Sequence, residues 1–151
     1  MNRNQSVIGM INRKLLDQVK PVVESWGLGR HPNPTSYFGR SEHGFRYDFA
    51  DVTSQFDIKI AAFSVLNRSR PSLWIKGLRE RKKYSQESDI PIIFDNMKGV
   101  FSLTRRWRVF DRFHIRFELI KRGDQSDDEA TSKLIDSVLR ELPKLRAFLY
   151  T

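Results

Sequence analysis

The chain has 151 residues and a mass of 17.8 kDa, with 39% hydrophobic and 30% charged residues. That length suits one domain over residues 1–151 with a core that needs no covalent staple, and the composition excludes a disordered chain. Lys and Arg number 27 against 18 acids, a net charge of +9, and the lack of cysteine excludes disulfides, thiolate metal sites and a cysteine nucleophile.

The first predicted element is a helix. Val7, Ile8, Ile11, Leu15, Val19, Val22 and Trp26 recur at three and four residues, with Ser6 placed to cap the start and Gly27 to stop the end. Pro21 falls inside this pattern, has no N–H and clashes with the carbonyl four residues back, so a kink or break is expected near Lys20. Residues 29–35 read as a loop.

The middle of the chain predicts strands. A first strand around residues 36–40 turns at Gly44 into Phe45, Tyr47 and Phe49, which alternate with Arg46 and Asp48. Phe56, Ile58, Ile60 and Ala62 alternate in the next strand, which runs on through Val65. Residues 72–83 are ambiguous: Leu73, Trp74 and Leu78 fit a short helix capped by Ser72, but Gly77 weakens it. Residues 90–94 are a short strand candidate. Residues 100–104 and 107–110 follow as one strand or two, and Phe113, Ile115, Phe117 and Leu119 give the clearest alternation.

The last element is a helix that opens on the capping box Ser126-Asp127-Asp128-Glu129. Ile135, Val138, Leu142, Leu145 and Leu149 form its apolar stripe, and Pro143 predicts a bend or restart. Helices at both ends and strands between them predict an α+β fold: an N-terminal helix, a mainly antiparallel sheet of about five strands, and a long capped C-terminal helix packed on it. A homodimer through the Ile135 stripe is a minor alternative. No apolar run approaches the ~20 residues of a membrane span, and the N-terminus lacks a secretory h-region, so a soluble cytoplasmic protein without membrane association is expected.

Charge is regional. Residues 68–83 hold seven basic residues and one acid, Glu80; residues 105–122 hold seven more against Asp111 and Glu118. Together they carry +11, leaving −2 for the rest. Arg79, Arg81, Lys82 and Lys83 stand near Trp74 and Tyr84, and Arg105, Arg106, Arg108 and Arg112 surround Trp107. Cations meet phosphates and aromatic planes stack on bases, so these eight residues are the candidate contacts for an anionic partner such as nucleic acid. The first reading is therefore a basic binding or interaction protein, not an enzyme, with no cofactor.

A second reading takes the acids. Asp48 and Asp51 follow one strand, and Asp57 and Lys59 share a face of the next. This arrangement resembles the PD-(D/E)xK nucleases, although no Pro precedes Asp48. The resemblance implies that Asp48 or Asp51, with Asp57, would hold a divalent cation and that Lys59 would help activate a water. A third reading is a ligand cleft walled by Trp26, Trp74 and Trp107. His31, His43 and His114 have no metal-ligand spacing and read as surface or loop residues.

Overall fold

The computed structural model describes residues 3–94, 97–106, 114, 115 and 117–151. It is an α+β fold. The N-terminal helix comprises α1 (Arg3–Lys14), a π-helical turn at Leu15–Val19 and α2 (Lys20–Ser25). The predicted disturbance at Pro21 takes the form of that turn. Pro21 has no N–H to offer the carbonyl of Asp17, and the Lys20 N–H reaches back five residues to the Leu15 carbonyl, so the helix absorbs the proline without ending. It begins before Ser6, which is not the cap. Gly27, at φ 110°, supplies the turn that follows it.

Strands β1 (Gly29–Arg30), β2 (Phe38–Ser41), β3 (Gly44–Asp51), β4 (Asp57–Leu66), β5 (Ser72–Arg81), β6 (Phe101–Leu103) and β9 (Phe117–Glu118) form one antiparallel sheet. Long β3, β4 and β5 make its centre. β1 and β2 share one edge along β3, and β6 and β9 share the other along β5. β7 (Arg105–Arg106) and β8 (His114–Ile115) pair separately. Gly44 is required at the β2–β3 turn, because a Cβ there would come within 1.9 Å of the Val65 carbonyl oxygen.

Residues 72–83 and 90–94 also depart from expectation. Residues 72–83 hold a strand, not a short helix: Leu73 and Ile75 face the helices while Trp74, Lys76 and Leu78 face away. Gly77, awkward in a helix, lets α3 (Asp127–Tyr150) approach, since a Cβ would lie 2.7 Å from Leu145 Cδ1. Residues 90–94 form no strand. They follow a short 3-10 turn (Glu87–Asp89) and cover the sheet as an irregular strap.

The sheet is covered differently on its two faces. On one, Tyr47, Phe49, Ala61, Phe63, Leu73 and Ile75 pack under α1, α2 and α3. Edge-to-face contacts link Phe38 to Tyr47 and Phe49, and Phe49 to Phe63. α3 runs unbroken through Pro143, contrary to the expected restart. Leu142, Leu145 and Leu149 are buried on both sides of it, and each such side chain contributes roughly 1.5–3 kcal/mol, enough to offset a lost helix hydrogen bond. Ser126 Oγ accepts from the Glu129 N–H at 3.1 Å, and Lys14 ties α1 to the first turn of α3 through Asp128 at 2.9 Å. On the other face, Ile90 and Ile93 of the strap cover Ala50, Ile58, Ile60, Ala62 and Leu78. No described helix is long and apolar enough to cross a membrane.

Candidate functional site

Register brings four of the predicted polar residues to one end of the helix-covered face. Asp51 on β3 pairs with Lys59 on β4, and Lys59 pairs with Arg79 on β5. Strand alternation adds Asp57 to the same face. Asp57 accepts from Lys59 Nζ at 2.8 Å through one oxygen and from Arg79 Nε at 2.7 Å through the other. The bond from Lys59, supported by those from Arg79 and Ser54 and opposed by burial, pulls the Asp57 carboxyl down to about 2. Arg79 also donates to the Thr151 carbonyl at 2.9 Å, at the end of α3. Asp51 accepts from Tyr150 Oη at 2.9 Å and from the Thr53 N–H and hydroxyl at 3.0 and 2.6 Å. Burial opposes the charge of Asp51, but these hydrogen bonds outweigh it and hold the carboxyl below its ordinary range. Burial and the Asp51 bond push the Tyr150 phenol up.

Asp48 does not join them. It lies on the opposite face at 1% exposure, accepting from Arg46 Nε and the Tyr37 N–H, both at 2.9 Å. Of the two alternatives for the first acid, Asp48 drops out, while Asp51, Asp57 and Lys59 share one face. Among the described residues, no cluster of three or more metal-ligating side chains exists.

The first basic window is divided by the alternation of β5. Arg79 and Arg81 fall on the helix side near the strand end. Beside them an open depression of about 850 Å³ is lined by Phe56, Asp57, Arg79, Glu80, Arg81, Gly99 and Phe148. Phe56, at the β3–β4 turn, is 82% exposed. Lys82 is spent in part on the Val52 and Ser54 carbonyls, at 2.9 and 3.2 Å, and Lys83 lies over the Tyr84 ring. Arg81 is exposed and has no ion pair among the described residues. Lys76 falls on the far face, where it and Arg68 flank Trp74 at 5.2 and 4.5 Å from the ring. Neither Arg68 nor Lys76 was among the expected contacts; a period of two through Trp74 and Lys76 was the signal for Lys76.

The described start of the second window, Arg105 and Arg106, does not adjoin Arg81. Leu103 lies opposite Ile75, roughly 20 Å along β5 from Arg81, and the chain runs away from Arg81 as it enters β7. Only the backbone of Arg105 and Arg106 is described; Arg108, Arg112 and Trp107 lie outside the described residues. Trp26 packs against the helix-side core while Trp74 faces the other way, so these two do not wall one cleft. The cavity under the N-terminal helix is only about 10 Å³, lined by Leu15, Val19, Phe49 and Phe63, too small for a ligand.

His31 is not a surface residue: it is 3% exposed. Its Nδ1 accepts from the Asn33 N–H at 3.0 Å, which leaves Nε2–H to donate to the Pro91 carbonyl at 2.9 Å. Asn33 Nδ2 donates to the Ser88 and Ile90 carbonyls, and Arg46 to that of Ile93. Three side chains thus pin the strap. No family model, curated protein or solved structure matches the chain.

Proposed function

We propose that this chain is a non-catalytic binding protein for an anionic partner, drawn to the Phe56 end of β5 by Arg81 with Lys82 and Lys83 beside it. The unequal use of charge supports the reading. Asp48, Asp51 and Asp57 are each engaged by hydrogen bonds within the fold, whereas the Arg81 guanidinium has no carboxylate partner among the described residues. A carboxylate that is to hold a divalent cation needs free oxygen lone pairs, and Asp57, pinned by Lys59 and Arg79, offers few. A guanidinium without a carboxylate partner keeps its donors for phosphate or sulfate. The exposed Phe56 ring adds a plane beside that charge, and the net +9 attracts polyanions over distance.

The test is electrophoresis of the protein with a short single-stranded oligonucleotide, its duplex, and labelled heparin, each in Mg²⁺ and in EDTA. At least one polyanion is retarded intact in both buffers, and Arg81→Glu weakens the retardation. Failure to retard any of the three, or Mg²⁺-dependent cleavage lost in Asp57→Ala, would overturn the reading.

A further inference from the structure

β5 runs further than the strands that cover its outer edge. β9 pairs with Ser72 and Leu73, and β6 with Ile75, Lys76 and Gly77, whereas β4 pairs with the whole of Ser72–Arg81. From Leu78 to Arg81 the outer edge therefore has no partner strand among the described residues. Gly99 accounts for the early end of the ladder. The register that sets Phe101 opposite Gly77 would set Gly99 opposite Arg79, but Gly99 has a φ of 80° and lies off the extended path.

The same register fixes where the backbone groups of β5 point. The Lys82 N–H donates to the Phe56 carbonyl at 2.9 Å, toward β4. Backbone direction alternates along a strand, so Leu78 and Glu80 also turn to β4, while the N–H and C=O of Arg79 and Arg81 turn outward. Pro71, in phase with these two, accepts from the Leu119 N–H on that outer side. Among the described residues no backbone group bonds to the N–H or C=O of Arg79 or Arg81. The open depression lies beside them. Gly99 in its lining leads into β6, and Phe148 stacks on Phe101 of β6 at 5.0 Å between ring centres, so both stand on the outer side of β5.

An unpaired edge is a template for another strand, and charge selects which strand it takes. Residues directly opposite one another across an antiparallel pair share a face, so those facing Arg79 and Arg81 meet the two guanidinium groups. Arg79 is matched by Asp57, and Arg81 has no carboxylate partner among the described residues. A second copy of this chain suits the edge poorly, because antiparallel pairing about Glu80 sets Arg79 of one copy against Arg81 of the other. A strand with a carboxylate at every second position suits it well. Its intervening side chains fall on the other face, where the Glu80 carboxylate already accepts from Tyr84 Oη at 2.7 Å.

We infer that the outer edge of β5 at Arg79 and Arg81 binds an extended acidic peptide as an added antiparallel strand, with one of its carboxylates on the Arg81 guanidinium. The inference rests on the anionic-partner reading and deepens it by naming the partner and the way it docks.

Fluorescence anisotropy of a labelled peptide of alternating glutamate and valine tests it on the wild-type protein. In the docked strand the glutamates lie opposite Arg79 and Arg81 with their N–H groups aimed at β5, and the valine N–H groups point to solvent. Methylating the glutamate nitrogens weakens binding about tenfold or more, the scale of two lost backbone hydrogen bonds. Methylating the valine nitrogens leaves binding unchanged, although the two peptides carry the same charge. Arg81→Glu, checked for folding by thermal melting, weakens binding of the unmethylated peptide about tenfold or more. If the two methylated peptides bind alike, the edge is not used and the inference is overturned, whatever the charge variant does. An unmethylated peptide that fails to bind a protein able to retard heparin or the oligonucleotide also overturns the inference, and the anionic-partner reading stands. If neither the peptide nor any of the polyanions binds, both fall.

Discussion

Gly77→Ala probes how closely α3 approaches the sheet. The backbone at Gly77 is ordinary extended strand, so alanine introduces no φ strain; the cost is entirely steric. Its Cβ would sit 2.7 Å from Leu145 Cδ1 and 3.4 Å from Phe148 Cδ1. Leu145 is fully buried in the stripe that holds α3 down, so the methyl cannot simply swing into solvent. Overpacking of this kind costs ~1–3 kcal/mol. Against it, replacing glycine in a strand interior returns ~0.5–1 kcal/mol. The net is a destabilisation of ~0–2.5 kcal/mol, about 1 kcal/mol at the midpoints of the two ranges, and at ~2–4 °C per kcal/mol for a chain of this size the midpoint falls by up to ~10 °C. Gly9→Ala is the control: it lies within α1, a Cβ there meets nothing within 4 Å, and alanine gains ~0.8–1.0 kcal/mol in a helix interior. Thermal melts followed by circular dichroism should move in opposite directions for the two variants. A Gly77→Ala protein that melts at or above wild type would refute the close approach of α3 to β5.

Other consequences can be measured on the same instrument. Ser126→Ala removes the acceptor for the Glu129 N–H and should lower stability by ~1 kcal/mol in urea titrations. Tyr150→Phe removes a hydrogen bond to the buried carboxylate of Asp51, worth ~1.5–3 kcal/mol, and should shift the urea midpoint more than Ser126→Ala does. Burial depresses the His31 pKa below 6.5; the Pro91 carbonyl and Asp48 push it up, Arg46 pushes it down, and burial prevails. Between the depressed folded value and 6.5 the unfolded chain holds more protons, so stability falls as pH drops through that window. A urea midpoint that stays constant from pH 7 to pH 5 in wild type would contradict the neutral, buried imidazole.

What could be read in the sequence was local. The α3 stripe and its Ser126 cap, and the alternation of β3 and β4, depend on near neighbours and on one period, and the structure repeats them. β5 was harder to read because its centre is covered on both faces. Leu73 and Ile75 turn to the helices and Leu78 to the strap, which breaks the alternation and mimics a helix face. The strap read as a strand because Ile90, Ile92 and Ile93 are apolar. Its carbonyls instead meet Asn33, His31 and Arg46, side chains distant in sequence whose reach no local pattern encodes. The same limit applied to the polar cluster. Asp57 and Lys59 share a face by spacing alone, but Arg79 and Tyr150 reach the cluster only through β5 and the end of α3.

The central claim is that this chain holds its partner by charge, and the salt dependence of binding tests that most directly. The affinity of the wild-type protein for the single-stranded oligonucleotide should be measured from low to physiological salt and plotted as log affinity against log salt. With Arg81 neutralising a phosphate, the slope should be about −0.7 or steeper, at about −0.7 per contact on a single strand. A slope near zero would mean that no counterions are released, and would contradict an account in which exposed guanidinium groups meet phosphates.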